Sequence, residues 1–199
     1  MKTLKLYITE ALHVNKNTKI IEHNYHPKTT GELREIIKKL IKERGENADL
    51  NDIDTSAITD MSYVFYNTKF NGDISEWDVS NVTNMDSMFN GSKFNGDISE
   101  WDVSNVENMV STFGDSKFNG DISEWDVSSV TNMRSMFNRS EFNGDISKWN
   151  VGNVGTMQHM FSNSLFNGDI SNWDVSKVKN MYSVFYKSPL EKNPPKWYK

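Results

Sequence analysis

The stretch FNGDIS, residues 70–75, decides the fold, because four further copies of it follow at a constant spacing of 24 residues. Each copy is followed by one more residue and a tryptophan. All six tryptophans of the chain fall in one column of this register, namely Trp77, Trp101, Trp125, Trp149, Trp173 and Trp197. A fixed period of roughly 20 to 50 residues is typical of stacked supersecondary units that cannot bury their apolar faces alone.

The apolar residues of one repeat predict a short strand followed by a short helix. Trp77 and Val79 alternate with polar residues, which is the period of a half-buried strand. Val82, Met85 and Phe89 recur at intervals of three and four, which is the period of helical turns. We therefore predict an α/β solenoid: a right-handed, leucine-rich-repeat-like stack of 24-residue coils, with a parallel sheet on one face and a small α+β N-terminal cap.

Aromatic columns with the same period predict the core of this stack. The phenylalanines form one column from Phe65 to Phe185 and a second from Phe70 to Phe166, and a methionine column starts at Met61. We expect each ring to lie on its counterpart in the next coil, where an aromatic side chain buries roughly 150 to 250 Å².

Polar residues predict the turns and a helix cap within each repeat. The pair Asn71-Gly72 is expected to supply a positive-φ turn, and Asp73 is placed to tie that turn by accepting from a nearby backbone amide. Ser80 or Asn81 is placed to cap the helix, because a short side-chain oxygen can accept from its free amides.

The segments that flank the repeats predict two caps. We divide the chain into an N-terminal α+β capping segment, residues 1–50, a repeat solenoid, residues 51–187, and a truncated C-terminal capping coil, residues 188–199. In the last of these, Pro194 and Pro195 remove backbone donors and are expected to stop the pairing.

Two elements are predicted in the N-terminal segment. Leu4, Leu6 and Ile8 alternate as a strand, with residues 19–22 as its partner. The segment TTGELREIIKKLIKERG, residues 29–45, is typical of an amphipathic helix.

The predicted helix has a start signal, a stop signal and an apolar stripe. Thr29 and Glu32 form a capping box, and Gly45 ends the helix. The stripe consists of Leu33, Ile36, Ile37, Leu40 and Ile41. The basic face of this helix allows two interpretations. Either it binds an anionic partner, or it is the solvated surface of a helix whose apolar stripe covers the first coil.

Composition excludes several classes of site. The chain has no cysteine, which rules out disulfides, cysteine-bound zinc and thiol nucleophiles. Of the four histidines, His23 and His26 alone have a ligand-like spacing, which is a weak metal signal. We predict no cofactor and no metal.

The sequence contains no run of about eighteen apolar residues, so it predicts no membrane-spanning helix. Its start, MKTLKLYITEAL, alternates apolar with polar residues where a secretion signal would be continuously apolar. We therefore expect a cytoplasmic protein, or one that reaches a cell surface or a virion by another route.

Charge is distributed unevenly along the chain. Residues 53–187 hold 18 acidic and 9 basic residues, whereas both flanking segments carry a small positive charge. Phosphate binding needs a basic stripe, so the acidic array disfavours a nucleic-acid partner.

Eleven residues are candidates for partner binding. Predicted to face solvent beside the tryptophans are Glu76, Asp78, Glu100, Asp102, Glu124, Asp126 and Lys148. Residues that vary between coils, and so are not demanded by stacking, include Arg134, Gln158, His159 and Tyr182. The acidic set would recruit a basic partner or divalent cations. Alternatively, Asp78 and its equivalents accept backbone hydrogen bonds, as Asn150 also could, and the glutamates lie in water.

The carboxylates do not form an evident catalytic pair. Catalysis by two carboxyl groups requires one protonated and one ionised group in a unique cleft, whereas here the carboxylates are copied from coil to coil. We therefore predict no enzyme, and keep a polysaccharide-acting enzyme as a remote alternative.

The unit F-N-G-D-I-S-x-W-D-V-S-x-V-x-N-M-x-x-M-F closely resembles the BspA-type leucine-rich-repeat segment of bacterial surface proteins and lipoproteins, over roughly residues 53–185. The leader YHPKTTGELREIIKKLIKERGENADLNDID, residues 25–54, resembles leaders of such proteins in gut bacteria and their phages. The resemblance implies a leucine-rich-repeat-like solenoid used for adhesion or protein binding, without known catalytic residues.

Together these observations predict a non-catalytic protein-binding or adhesion module. We expect it to present an acidic sheet face and variable loops to a protein with a basic patch, with a glycan as the other partner class and no membrane. The alternative is a structural component of a larger assembly, such as a virion or a surface layer. The sequence leaves the oligomeric state open.

Overall fold

The structure is a computed structural model and describes residues 22–198. Two helices occur in this range: the α-helix α1, Thr30–Arg44, and a 3-10 helix, Pro189–Glu191. The predicted strand at Leu4, Leu6 and Ile8, and most of its partner, lie outside the described residues.

Helix α1 forms where its start and stop signals predict it. Thr29 is the N-cap residue, and its hydroxyl oxygen accepts from the Glu32 amide at 3.2 Å. The Glu32 carboxylate in turn accepts from the Lys28 amide at 2.7 Å. Gly45 closes the helix with φ 93° and donates to the Ile41 carbonyl, so the predicted boundaries are confirmed.

One side of α1 covers the first repeat. Leu33, Ile37 and Leu40 are buried in the common core, and the rest of the predicted stripe is partly buried against it. Polar side chains of α1 also reach the repeat: the Thr30 hydroxyl donates to the Asp60 carbonyl at 2.6 Å, and Arg34 donates to the Ser62 carbonyl.

The predicted α/β solenoid with a parallel sheet is wrong. Across residues 22–198 no continuous strand and no sheet form, and no α-helix other than α1 occurs, so the repeats contain none. Strand-like pairing is limited to isolated parallel bridges, among them Asp60 with Asn84 and Asn84 with Asn108. Because no helix exists in the repeats, the predicted helix cap at Ser80 or Asn81 is also wrong.

Consecutive turns form the repeats, and backbone hydrogen bonds join each repeat to the next. The Met85 amide donates to the Asn108 carbonyl at 2.9 Å, and the Ser87 amide donates to the Val110 carbonyl at 2.8 Å. The Phe89 amide continues this row, and the residue before it bonds locally instead: the Met88 amide donates to the Met85 carbonyl at 3.2 Å. Along this part of the chain, one residue therefore bonds to the next repeat and its neighbour bonds within its own repeat.

This backbone requires left-handed residues at two positions of each repeat. The first position is the column Tyr63, Ser87, Ser111, Ser135, His159 and Ser183, with φ between 50° and 58°. The second is the column Asn67, Gly91, Asp115, Arg139, Asn163 and Lys187. A single residue in the left-handed conformation interrupts the dihedral angles of a right-handed helix, so an α-helix cannot continue through it.

Both phenylalanine columns stack as predicted, and in the tryptophan column the pairs Trp77–Trp101 and Trp173–Trp197 do so. Phe89 and Phe113 have ring centroids 5.6 Å apart at an interplanar angle of 2°, and Trp77 and Trp101 are 6.4 Å apart at 1°. The methionine column belongs to the same core, with Met85 fully buried and Met181 partly buried. These stacks are the interior of the protein.

Each indole also makes a hydrogen bond that the sequence did not indicate. The Trp101 Nε1 group donates to the Ile74 carbonyl at 3.2 Å, and the other five tryptophans repeat this bond to the carbonyl 27 residues earlier at 2.8 to 3.1 Å. The bond satisfies a polar group in a position where an unpaired one would be costly.

The glycine of the FNGDIS motif has a different role from the one predicted. Gly72 and its equivalents do not have positive φ. They are tightly packed: a Cβ atom on Gly96 would lie 2.8 Å from the Phe94 ring and 3.0 Å from the Gly72 carbonyl oxygen. Glycine is therefore required for close approach between the turn, the ring and the preceding repeat.

Candidate functional site

A row of Asp–Ser turns forms one surface of the repeats. The Asp73 carboxylate accepts from the Ser75 amide at 3.0 Å and from the Ser75 hydroxyl at 2.8 Å, which confirms its predicted role in the turn. The equivalent aspartates, Asp97, Asp121, Asp145 and Asp169, accept from the serine amide two residues later at 2.9 to 3.0 Å.

Opposing effects act on the pKa of these aspartates. The hydrogen bonds from the Ser99 amide and hydroxyl lower the pKa of Asp97, and they outweigh the carboxylates of Asp121 and Asp73, which act to raise it. Hydrogen bonds to the ionised form favour it, whereas neighbouring like charges disfavour it. Hydrogen bonds from Ser123 lower the pKa of Asp121 in the same way, so both carboxylates favour the ionised form despite the like charges around them.

Glutamates lie beside this aspartate row. Glu76, Glu100, Asp97 and Ser99 line a shallow groove of about 180 Å³ between two successive repeats. The glutamates are exposed. We call the glutamates 76, 100 and 124 and the aspartates 73, 97, 121, 145 and 169 the acidic face.

Lys148 interrupts the column of glutamates 76, 100 and 124 one repeat after Glu124. Its Nζ atom lies 3.0 Å from the Glu124 Oε1 atom. The Glu124 carboxylate raises the pKa of Lys148, and Asp145 and Asp121 act in the same direction. Of the predicted candidates, Glu124 and Lys148 are therefore brought into contact.

The second aspartate row takes the alternative role considered for it. Asp78 accepts from the Ser80 amide at 3.0 Å and from the Ser80 hydroxyl at 2.6 Å, and Asp102 and Asp126 accept from the equivalent serine amides. Asn150 keeps this contact through its side-chain oxygen, which accepts from Gly152 at 3.2 Å. The carboxylates remain exposed, so backbone bonding does not remove them from the surface.

The variable positions line a different part of each repeat. Arg134 is exposed, and Gln158 is half-buried. The His159 and Tyr182 rings meet edge to face with centroids 5.4 Å apart, and Tyr182 is 67% exposed. The carbonyls of residues 134, 158 and 182 accept the bonds from the preceding repeat, so the backbone is fixed while the side chains differ.

The histidine pair has a structural contact. The rings of His23 and His26 are 6.4 Å apart, and the Nδ1 atom of His26 lies 3.1 Å from a carboxylate oxygen of Asp54. Hydrogen bonds from Ser56 and then His26 lower the pKa of Asp54 to about 2. No group of three or more potential metal ligands occurs in the described range, residues 22–198.

We expect the lowered pKa values of four aspartates in the first row to make the protein acid-labile. The folded-state pKa of Asp97, Asp121, Asp145 and Asp169 lies below the unfolded value of about 3.9. Such groups contribute stability that is fully present above the unfolded pKa and is lost as the pH falls through the folded values. The melting temperature should therefore change little from pH 7 to pH 5 and fall below about pH 4, as measured by circular dichroism.

The substitution Asp121→Asn provides the matched test, because an asparagine keeps the accepting oxygen, as Asn150 does, but does not titrate. It should reduce the loss of melting temperature between pH 5 and pH 3, while Glu107→Gln, at an exposed side chain, should not. A melting temperature that stays constant down to pH 2 in the unsubstituted protein would refute this explanation.

The architecture and its surfaces define the class of the protein: a repeat protein made of stacked 24-residue units. The profile of the family described as "Mycoplasma protein of unknown function, DUF285" matches residues 35–139 and again residues 93–197. The chain belongs to this family. This match confirms the prediction of a BspA-like, repeat-type family.

Comparison with curated proteins and with solved structures finds no match. Among the helices of residues 22–198, none has the length and apolar character needed to cross a membrane.

Proposed function

We propose that the protein is a non-catalytic binding module whose acidic face binds a basic surface of a partner protein. The observation that supports this most is the placement of the acidic face: carboxylates recur on successive repeats at a fixed register and are exposed, and hydrogen bonds lower the pKa of Asp97 and Asp121. A surface with one sign of charge steers an oppositely charged partner during encounter and favours it over others.

The glutamates are suited to contact a partner because the turns do not need them. Glu76 and Glu100 are exposed, and their side chains accept no hydrogen bond within the described part of the chain. The aspartates of the acidic face, by contrast, accept hydrogen bonds from the serine amides of the turns. Binding through the glutamates would therefore leave the folded structure unchanged.

The second part of the proposal concerns the column of residues that differ between repeats, which contains Arg134, Gln158 and Tyr182. These side chains differ in charge and size on a fixed backbone. Aromatic and arginine side chains are enriched among residues that dominate binding energies. We assign selectivity between basic partners to this column.

We extend the proposal to adhesion at a bacterial cell surface or on a phage particle. The resemblance of the repeats to those of bacterial surface proteins, and of residues 25–54 to phage-encoded leaders, supports this location. In that setting a glycan is the other ligand class, because hydroxyl groups can bond to exposed carboxylates.

Binding of a fluorescein-labelled peptide of alternating lysine and serine, followed by fluorescence anisotropy at low ionic strength, tests the proposal. The triple variant Glu76→Gln, Glu100→Gln, Glu124→Gln should bind this peptide about tenfold more weakly, because each exposed ion pair contributes roughly 0.2 to 1 kcal/mol. Added salt should weaken the unsubstituted protein more than the variant.

The matched control is the triple variant Asp86→Asn, Glu107→Gln, Glu141→Gln, which removes the same charge at positions outside the acidic face. It should bind almost as well as the unsubstituted protein. Equal weakening in both variants would show an effect of net charge alone and would refute a specific acidic face.

A further inference from the structure

The five FNGDIS motifs each contain an asparagine followed by a glycine, which is a pair that can react with itself. The glycine nitrogen can attack the carbonyl carbon of the asparagine side chain, and glycine has no side chain to hinder the approach. The motif is identical in all five copies, so the local sequence gives the five asparagines the same intrinsic reactivity. They are Asn71, Asn95, Asn119, Asn143 and Asn167.

The nucleophile of each pair is available in the folded protein. The backbone amides of the five motif glycines donate to no acceptor within residues 22–198, in the inner repeats as in the outer ones. All five asparagines are exposed. An amide that no acceptor holds is free to lose its proton to base, so differences between the five pairs must come from the asparagine side chains.

A hydrogen bond between repeats fixes the asparagine side chain in four of the pairs. The Asn95 side-chain oxygen accepts from the Asn119 amide at 2.7 Å. The side-chain oxygens of Asn71, Asn119 and Asn143 accept in the same way from the asparagine amide 24 residues later, at 2.7 to 2.8 Å. Ring closure moves this oxygen, so it must break or distort the bond. The reaction requires a close approach in the correct orientation, and the bond opposes it.

Asn167 lacks this bond. Glu191 stands 24 residues later, but it lies in the 3-10 helix Pro189–Glu191, and its amide donates to the Ser188 carbonyl at 3.1 Å. The Asn167 side chain has no hydrogen-bond partner in the part of the chain that the structure describes, residues 22–198. It can therefore rotate towards the Gly168 nitrogen without losing a contact.

A sixth pair, Asn90-Gly91, is held at the nucleophile. The Gly91 amide donates to the Gly114 carbonyl at 2.9 Å, which joins this nitrogen to the next repeat. Bonds between repeats therefore restrain one partner of every Asn-Gly pair except Asn167-Gly168.

We propose that Asn167 is a site of spontaneous covalent modification and that the bonds between repeats protect the other Asn-Gly pairs. Base removes the amide proton of Gly168, and the nitrogen attacks the Asn167 Cγ atom. The new C–N bond closes a cyclic imide, the bond from Cγ to Nδ2 breaks, and ammonia leaves with a proton from water. Water then opens the imide at either carbonyl, which gives aspartate or isoaspartate.

The product differs from asparagine in charge and in backbone length. Both products add a carboxylate two residues from Asp169, which belongs to the acidic face. Isoaspartate also inserts one carbon into the backbone before Gly168, where even a Cβ atom would lie 2.7 Å from the Phe166 ring. The modification therefore extends the acidic face and disturbs the packing of this turn.

Peptide mapping by mass spectrometry tests the proposal on the unsubstituted protein. The protein is incubated in mildly alkaline buffer, and the loss of each asparagine is followed from the mass of its peptide, with isoaspartate separated by chromatography. In the folded protein Asn167 should react about fivefold faster than the other four motif asparagines, which is the factor that one ordinary hydrogen bond contributes. In concentrated urea all five should react at the same rate, because their motifs are identical.

A pair of variants tests the protecting bond directly. Asn167→Pro removes the amide that donates to the Asn143 side-chain oxygen, whereas Asn167→Ala keeps it. Asn143 should react about fivefold faster in the proline variant and should stay slow in the alanine variant. Circular dichroism verifies that both variants are folded, and the map of the unsubstituted protein decides the proposal if the proline variant is not.

Four results would overturn the proposal. They are equal rates at the five asparagines in the folded protein, the same order of rates in concentrated urea, and an unchanged Asn143 rate in the folded proline variant. The fourth is a rate at Asn167 that rises steeply in urea below the unfolding transition, which would assign the reaction to local opening of the stack. None of these results depends on peptide binding to the acidic face.

Discussion

The substitution Trp125→Ala is expected to lower the free energy of unfolding by about 3 to 5 kcal/mol, the loss typical of a large buried aromatic side chain. Trp125 is 4% exposed and packs against Phe113 with ring centroids 6.0 Å apart. Its Nε1 group donates to the Ile98 carbonyl at 3.0 Å, so alanine leaves a cavity and removes one of the two hydrogen bonds to this carbonyl, which still accepts from the Trp101 amide at 3.3 Å. Urea denaturation followed by circular dichroism measures the change.

Position within the stack provides the control for this prediction. Trp197 stacks on Trp173 at 6.4 Å but is only partly buried. Trp197→Ala should therefore cost clearly less than Trp125→Ala. Equal small losses at the two positions would contradict stacking of the aromatic columns as the source of stability.

The substitution Gly96→Ala is expected to destabilise the protein by about 1 to 3 kcal/mol, as overpacking of a tight site does. The added methyl group would lie 2.8 Å from the Phe94 ring and 3.0 Å from the Gly72 carbonyl oxygen. The ring is fully buried and stacked on both sides, so it has little room to move. Thermal and urea denaturation should both report the loss.

Gly155→Ala is the matched control for Gly96→Ala. A Cβ atom on Gly155 would have only the Thr131 carbonyl oxygen nearby, at 3.6 Å, and other repeats carry threonine, glutamate or lysine in this column. The substitution should be neutral or slightly stabilising, because alanine restricts the unfolded chain more than glycine does. A loss as large as that of Gly96→Ala would show that backbone freedom, and not close packing, explains the motif glycine.

Much of the interior could be predicted from sequence because identical side chains at a fixed period must stack. The tryptophan and phenylalanine columns and the burial of Met85 follow from the 24-residue register alone. Helix α1 could be predicted because Thr29 and Gly45 carry recognisable start and stop chemistry.

The backbone of the repeats could not be predicted, because its apolar residues have the spacing of a helix in one part of the repeat and the alternation of a strand in another. Met85 and Phe89 recur at helical spacing, and amides such as that of Met88 do bond three residues back. The left-handed residue between them is Ser87, and serine gives no sign of positive φ. Similarly, Trp77 and Val79 alternate with exposed residues as in a strand, but the Asp–Ser turns on either side, at Asp73 and Asp78, bend the chain.

The candidate surfaces were predicted in part. Sequence analysis singled out the exposed glutamates and Lys148, but it assigned Asp97 and its equivalents only to turns, whereas the structure places them beside Glu76 and Glu100.

The central claim is that each repeat contacts the next in register. A crystal structure of the full chain that shows residues 22–198 tests this claim most directly. We predict Trp77 and Trp101 with ring centroids about 6.4 Å apart and each indole Nε1 group bonded to the carbonyl 27 residues before it. Indoles turned towards solvent, or aromatic pairs at a spacing other than 24 residues, would contradict it.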